Sequence, residues 1–107
     1  MNIYDLSAKN IGTELVEELW KKQDVRIERI VSQGETSSWY EQEEDEWIVL
    51  VEGEATLEIV QKSPDQVRTE TLKRGDTCLL TAGTKHRVTK TSVKPPCVWI
   101  CVFLKRK

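Results

Sequence analysis

Histidine is almost absent from this chain, with His86 the one occurrence in 107 residues. A metal centre built from several imidazoles is excluded within one chain, because the imidazoles are missing. The three cysteines form no C-x-x-C pair, which argues against a zinc ribbon or a thioredoxin-type motif. No apolar run approaches the ~18 residues of a membrane span, and the amino terminus lacks the pattern of a signal peptide. We therefore expect a cytoplasmic protein without a membrane partner.

Neither sign of charge dominates the composition. Sixteen Lys and Arg residues stand against 18 Asp and Glu residues, and the formal net charge is -2. The basic face that nucleic-acid binding requires is not indicated, so we expect no nucleic-acid partner. Hydrophobic residues make up 38% and charged residues 32%, which is typical of a globular chain and not of a disordered one.

Two of the cysteines, Cys97 and Cys101, lie four residues apart in an apolar run with strand character. Even spacing places them on one face of a strand, together with Trp99 and Phe103. Four residues of strand separate their alpha carbons by about 13 Å, which is too far for a disulfide bond. We expect reduced thiols in the core, and the same for Cys78.

The secondary structure predicted from the sequence is one helix followed by short strands. Leu15 and Leu19 form an apolar stripe in the segment 13–22, with glutamates near its start and lysines at its end, which predicts a short helix. The rest of the chain alternates between apolar stretches and turns, with a turn about every 8 to 12 residues. Strands are expected at 25–32, 47–51, 55–61, 67–72, 77–81, 87–91 and 97–104.

The absence of crossover helices between these strands indicates an all-β sandwich or barrel. The run 47–51 is continuously apolar, which is typical of a strand buried on both faces, and the segment 62–65 predicts a turn. The length fits one domain. We divide it into an amino-terminal extension with the short helix, 1–24, and a barrel, 25–107.

A regular spacing of polar residues between two glycines marks the segment 34–53. Its fixed points are Gly34, Tyr40, Gln42, Glu46 and Gly53. Tyr40, Gln42 and Glu46 are separated by even numbers of residues, so their side chains can share one face of a strand. A second segment, 75–86, begins at Gly75, passes through Gly83 and ends at the single histidine.

The two segments resemble the paired motifs of the cupin family, G-x5-H-x-H-x3-4-E-x6-G and G-x5-P-x-G-x2-H-x3-N. Tyr40 and Gln42 occupy the places of two histidines, and Thr81 and Lys90 those of the proline and the asparagine. The closest resemblance is to small single-domain bacterial cupins that carry Trp-Tyr-x-Gln, which begins here at Trp39. The resemblance covers about residues 25–104.

This resemblance implies a cupin jelly-roll β-barrel of two antiparallel sheets, with the short helix at its amino terminus. It implies a homodimer formed through sheet faces and edge strands, with 48–51 and the last strand in the interface. It also implies a divalent metal ion, of unknown identity, held by Gln42, Glu46 and His86. Candidate catalytic residues are His86, Glu46 and Tyr40, while Trp39 and Tyr40 would line the pocket. No organic cofactor is indicated.

Three functions remain open at the level of sequence. The first is a divalent-metal-dependent enzyme of unassigned reaction, since related proteins with complete sites include dioxygenases, isomerases and lyases. The second is a metal-free barrel that binds a small molecule, with a lining formed by Trp39, Tyr40, Gln42, Glu46 and His86. Its His–Glu pair would be available for acid–base chemistry. The third is a non-catalytic interaction module, in which the same residues form a satisfied polar core. Arg87 should point to the opposite face of its strand from His86, where we expect it to be solvated or paired with an acid and not catalytic.

Overall fold

The computed structural model describes residues 1–63 and 65–106, which form eight strands in two antiparallel sheets and contain no helix. This confirms the all-β jelly-roll fold. The turn expected at 62–65 includes Pro64, and the barrel segment ends at Lys107; both of these residues lie outside the described part of the chain. The strands are β1 Leu15–Lys22, β2 Val25–Ser32, β3 Glu44–Glu52, β4 Ala55–Val60, β5 Val67–Leu72, β6 Thr77–Leu80, β7 His86–Thr91 and β8 Cys97–Lys105.

The larger sheet has the order β1-β2-β8-β3-β6, and the smaller sheet has the order β5-β4-β7. The core lies between them, because alternate side chains of each strand point inward. In β8 the inward set begins with Cys97 and Trp99 and ends with Cys101 and Phe103, as the even spacing predicted. All three cysteines are buried and free, which confirms the expectation of reduced core thiols.

The predicted helix at 13–22 is wrong, because the segment forms strand β1 and pairs with β2 at the edge of the larger sheet. Leu15 and Leu19 are four residues apart, a spacing that fits one face of a helix and equally one face of a strand. Burial alternates along the first six residues of β1, and the neighbouring edge of β2 supplies backbone partners. Tertiary pairing therefore overrides a local pattern that two structures can share.

The expectation that 47–51 is buried on both faces is also wrong. Ile48 and Leu50 of β3 lie in the core, but Trp47 faces outward and is 42% exposed. The apolar residues of β3 therefore belong to two surfaces: one set packs in the core, and the other lies on the outer face of the sheet.

The outer face of the larger sheet carries one apolar row that crosses all five strands. Register places the members of this row side by side, in the order Trp20, Ile27, Val102, Trp47 and Leu79. Trp20 is 51% and Leu79 60% exposed. We call these five residues the outer row.

The amino-terminal segment before β1 lies on another part of the same outer face. Arg29 of β2, only 2% exposed, donates to the backbone oxygens of Ile3 and Asp5 and, through Nε, to Glu17 of β1 at 2.6 Å. One buried guanidinium thus joins β1, β2 and the amino-terminal segment. Within the described residues, no helix is long and apolar enough to cross a membrane.

Candidate functional site

A cavity of about 290 Å³ opens between the two sheets. Its walls include inward side chains of β1, β2, β3, β4, β7 and β8, together with Tyr40 and Gln42 from the segment that precedes β3. Apolar residues such as Ile48, Leu57 and Trp99 line much of it. A concave apolar site with a few polar groups is the usual form of a small-molecule pocket.

The structure brings Glu46 and His86 together in this cavity. Glu46 lies in the first half of β3 and His86 is the first residue of β7, and each is 6% exposed. Their nearest atoms, Oε1 of Glu46 and Nε2 of His86, are 3.8 Å apart. That separation is longer than a hydrogen bond, so the two groups face one another without a direct bond.

The tautomer of His86 follows from its other ring nitrogen. Nδ1 lies 3.1 Å from the carbonyl oxygen of Thr84, and a carbonyl oxygen can only accept. Nδ1 therefore carries a proton, and in the neutral ring Nε2 presents its lone pair to the cavity. This backbone contact fixes the ring orientation, as a partner on the far nitrogen commonly does at functional histidines.

Gln42 supports the carboxylate of Glu46. Its side-chain Nε2 donates to Glu46 Oε1 at 3.0 Å, and its backbone oxygen accepts from the Gly83 amide at 2.8 Å. The second contact ties the glycine turn before His86 to the segment before β3. The two sequence motifs thus meet through backbone as well as through side chains.

Tyr40 forms an antiparallel bridge with His86. The Tyr40 amide donates to the His86 oxygen at 2.7 Å, and the His86 amide donates back at 2.9 Å. The two rings are tilted by 36° with centroids 6.0 Å apart. Tyr40 is 53% exposed, so its ring lies at the mouth of the cavity and not at its floor.

Trp39 is not among the residues that line the cavity. Its ring is covered instead by two cations, with the Arg87 guanidinium 4.5 Å and the Lys85 ammonium 5.7 Å from the ring centroid. Arg87 Nε also donates to Glu58 at 2.6 Å. The prediction that Arg87 faces away from His86 and pairs with an acid is confirmed.

Burial raises the pKa of Glu46 above its ordinary value, because a carboxylate loses hydration in the cavity. His86, Gln42 and Cys101 favour the ionised form and offset part of this effect, while Glu28 adds to it. Burial, followed by the Glu46 charge, raises the pKa of the Cys101 thiol well above its usual value. Cys101 is therefore a protonated core thiol and not a nucleophile.

Sequence reasoning missed the charged residues that β2 contributes to the cavity. Arg26 and Glu28 line it, while Val25 and Ile27 belong to the opposite face of the strand. Apolar and charged residues alternate in this strand, and such a pattern ordinarily predicts that the apolar residues face inward. The register of β2 with β8 is continuous, so Arg26 lies beside Phe103 on the inner face.

The metal site implied by the resemblance has two strong ligands in this structure, Glu46 and His86. Gln42 turns its amide nitrogen to Glu46, and an amide nitrogen donates and does not bind metal. No group of three or more His, Cys, Asp or Glu side chains able to hold a metal ion occurs in the described residues. The arrangement does not fit a tightly held metal unless the Gln42 side chain rotates.

Residues 27–103 match the cupin domain family, so the chain belongs to the cupin family. Among solved structures, a candidate mannose-6-phosphate isomerase from Ralstonia eutropha JMP134 superposes with a TM-score of 0.86 at 28% identity, over 99% of this chain and 97% of that one. A cupin superfamily protein from Desulfitobacterium hafniense DCB-2 gives 0.75 at 18% identity, over 92% and 83%.

A tryptophan variant of oxalate decarboxylase from Bacillus subtilis gives a TM-score of 0.66 at 17% identity, over 77% of this chain and 21% of that one. The two likenesses below 20% identity concern the fold alone. No curated protein sequence matches this chain.

Proposed function

We propose that the protein binds a small molecule in the barrel cavity, with Glu46 and His86 as its polar anchors. The observation that carries this proposal is the pair of buried acceptors, Oε1 and Nε2, that face each other across 3.8 Å in a cavity of about 290 Å³. A satisfied polar core would place a hydrogen bond between them. Here the geometry leaves room for a donor from a bound molecule.

The same pair supports acid–base chemistry on that molecule. Nε2 of His86 can accept a proton, because Nδ1 is held by the Thr84 oxygen and the ring cannot turn away without losing that bond. Glu46 lies close enough to stabilise the imidazolium that forms. Tyr40 at the cavity mouth is the second proton donor in this proposal.

The name of one structural neighbour, a candidate mannose-6-phosphate isomerase at 28% identity, supports a small-molecule ligand as the general class. That name does not support a particular substrate for this chain, because the carboxylates of Glu14, Glu28 and Glu46 line the cavity and would repel an anion such as a phosphate.

The test is a screen of small polar molecules by NMR, following the indole N–H signal of Trp99, which lines the cavity. Loss of one anchoring hydrogen bond should weaken a cavity ligand by about tenfold in His86→Gln and in Glu46→Gln. Arg87→Gln is the matched control, because Arg87 faces away from the cavity and bonds to Glu58. Ligands that bind all three variants equally would contradict the proposal.

A second candidate function is the metal-dependent one, with Gln42, Glu46 and His86 as ligands. The favourable observation is that two buried acceptors converge, which suits a cation as well as a hydrogen-bond donor. Elemental analysis of protein expressed with several divalent metals decides it. Near one transition metal per chain, lost in Glu46→Gln and His86→Ala, would support the metal site; metal content indifferent to both variants would exclude it.

We infer that a second copy of the chain covers the outer row, in agreement with the homodimer that the family resemblance implies. The row is apolar along its whole length, and Trp20, Trp47 and Leu79 are about half exposed in the single chain. Contiguous exposed apolar surface of this kind marks an interaction site.

The three free thiols support our placement of the protein in the reducing cytoplasm.

A further inference from the structure

The two acceptors of the cavity call for a ligand with more than one N–H. Among the described residues, no hydrogen bond reaches Nε2 of His86, which is 6% exposed and directed at Glu46. A hydroxyl could donate to only one of the two acceptors, because it carries one proton. An ammonium group carries three, so one nitrogen could donate to Nε2 and to Oε1 at the same time.

The wall of the cavity is also negatively charged. Three carboxylates line it, those of Glu14, Glu28 and Glu46, against one guanidinium, that of Arg26. Arg26 is already committed: its Nε donates to Glu28 at 3.0 Å, and its two terminal nitrogens donate to Glu44 at 2.9 and 3.2 Å. A bound anion would therefore meet carboxylates, and among the described residues that line the cavity no Lys or Arg is left unpaired to offset them.

Two of the three carboxylates lie inside the cavity. Glu46 is 6% exposed and Glu28 is half-buried, while Glu14 is exposed. Cys101 lies on β8 directly beside Glu28 of β2 and Ile48 of β3. After burial, the charge of Glu46 and its hydrogen bond raise the pKa of the Cys101 thiol, followed by the charges of Glu28 and Glu14.

An aromatic wall adjoins this negative region. Trp99 is held in place by its Nε1–H, which donates to Ser32 Oγ at 3.1 Å, and Ser32 in turn donates to Glu14 at 2.6 Å. One face of Phe103 is covered by the Arg26 guanidinium at 4.1 Å. The fixed indole offers apolar contact and a cation–π surface to a ligand that carries positive charge.

From these four features we propose that the ligand is a small organic cation, a protonated primary amine on an apolar or aromatic body. The inference rests on the proposed small-molecule function of the same cavity and names the chemical class. The ammonium would lie between Nε2 of His86 and Oε1 of Glu46, and the body would lie against Trp99 and the apolar wall.

Three probes of nearly equal size and shape separate charge from shape: benzylammonium, benzyl alcohol and benzoate. Each is titrated into the full chain at pH 7, with the Trp99 indole N–H signal as the readout. A Trp99→Phe variant assigns the signal. We expect benzylammonium to bind at least tenfold more tightly than benzyl alcohol, and benzoate to bind more weakly than either.

The charge of the wall is tested with Glu28→Gln, which keeps the size of the side chain and an acceptor for Arg26. Removal of one cavity carboxylate should weaken benzylammonium by roughly threefold to tenfold and should strengthen benzoate. Glu43→Gln is the matched control, because it makes the same charge change at an exposed position that does not line the cavity. Circular dichroism of both variants verifies the fold.

The outcomes separate the inference from the function on which it rests. Tighter binding of benzyl alcohol or benzoate than of benzylammonium would overturn the amine inference and leave the small-molecule cavity standing. Equal effects of Glu28→Gln and Glu43→Gln would overturn it as well.

Failure of all three probes, with hits from the general screen that are not cations, would also reject the amine. Failure of the probes and of the whole screen would reject the cavity function itself. Displacement of benzylammonium by a divalent metal, reversed by chelator, would assign the site to metal ions.

Discussion

Gly53, in the turn that joins β3 to β4, sits against the beginning of β8. Its φ is +92°, and a Cβ there would lie 2.8 Å from the Cys97 alpha carbon and 2.9 Å from the Pro96 oxygen. We expect Gly53→Ala to lower the free energy of unfolding by roughly 3 kcal/mol or more, because about 1–2 kcal/mol of left-handed backbone strain adds to a clash with backbone atoms. Chemical denaturation measures the loss.

Gly75→Ala separates the two causes. Gly75 has a similar φ of +89°, but nothing lies within 4 Å of the position of its Cβ. We expect a loss of about 1–2 kcal/mol, from backbone strain alone. Equal losses at Gly53 and Gly75 would show that the contact with β8 costs nothing.

Glu46 gives the fold a pH dependence whose sign follows from burial. A carboxyl with a raised pKa in the folded state contributes stability below its ordinary pKa, and that contribution is lost as pH rises through the folded pKa. Glu46→Gln removes the charge and keeps an acceptor for Gln42. We therefore expect the variant to have a higher Tm than the natural protein at pH 7, and the difference to vanish as pH falls below about 4.5.

The control for this effect is Glu43→Gln, at an exposed position. The groups that face Glu46 are His86 from β7, Cys101 from β8, Glu28 from β2 and Gln42 from its own segment. A lower Tm of Glu46→Gln at pH 7 would mean that an ionised Glu46–His86 pair stabilises the fold, contrary to the burial argument. Thermal unfolding followed across pH decides between the two.

The residues of the site divide into those that the sequence could predict and those that it could not. Glu46, His86 and Gln42 follow from motif spacing, and the structure brings all three together. Glu28 could not be found in this way, because an acid that alternates with apolar residues predicts a solvated side chain. Its inward direction depends on which face of β2 meets the second sheet, and that is a property of the tertiary structure.

Among the elements, β1 shows the limit of local pattern most clearly. A stripe of Leu15 and Leu19 with charged ends predicted a helix. In the strand that forms, the same two residues are half-buried, and the pairing with β2 shifts register at Leu19. The other strands were predicted within a few residues, since turns and alternating runs bound them tightly. The local sequence of β1 does not show that β2 has an edge available for backbone pairing, and that edge is where β1 binds.

Attachment of β1 and the amino-terminal segment depends on Arg29. Its guanidinium bonds to Glu17 and to the backbone oxygens of Ile3 and Asp5, and the side chain is almost wholly buried. We expect Arg29→Met to cost roughly 2–4 kcal/mol, because it removes the buried guanidinium that bonds to the Glu17 carboxylate and to two backbone oxygens. Faster amide hydrogen exchange in β1 than in β8 would localise the effect.

Arg68→Met is the control for Arg29→Met. Arg68 forms an exposed ion pair with Glu70 on the smaller sheet, and such pairs contribute at most about 1 kcal/mol. A loss at Arg29 no larger than that at Arg68 would show that the buried guanidinium only replaces water. In that case β1 would be held by its backbone ladder alone.

For the molecule as a whole, the outer row predicts the oligomeric state. We expect a species of twice 12.4 kDa in solution, since we propose that a second copy of the chain covers the outer row. Trp47→Lys should yield the monomer, because it places a charge at the centre of the row. Size-exclusion chromatography with light scattering measures the mass.

Val67→Lys is the matched control, because Val67 is similarly exposed but lies on the smaller sheet. It should leave the dimer intact. A monomer for the natural protein at high concentration would show that the outer row forms no dimer. Dissociation by Val67→Lys and not by Trp47→Lys would place the dimer contact on the smaller sheet.

Because the chain has a single imidazole in 107 residues, the NMR signals of that ring report directly on the cavity. The ring of His86 lies inside the cavity with one nitrogen tied to the backbone, so every imidazole resonance of the molecule originates at the proposed site. Its ring protons can be followed in unlabelled protein without assignment by mutation. One NMR spectrum of the purified protein therefore reports ligand occupancy of the cavity together with the tautomer and protonation of its histidine.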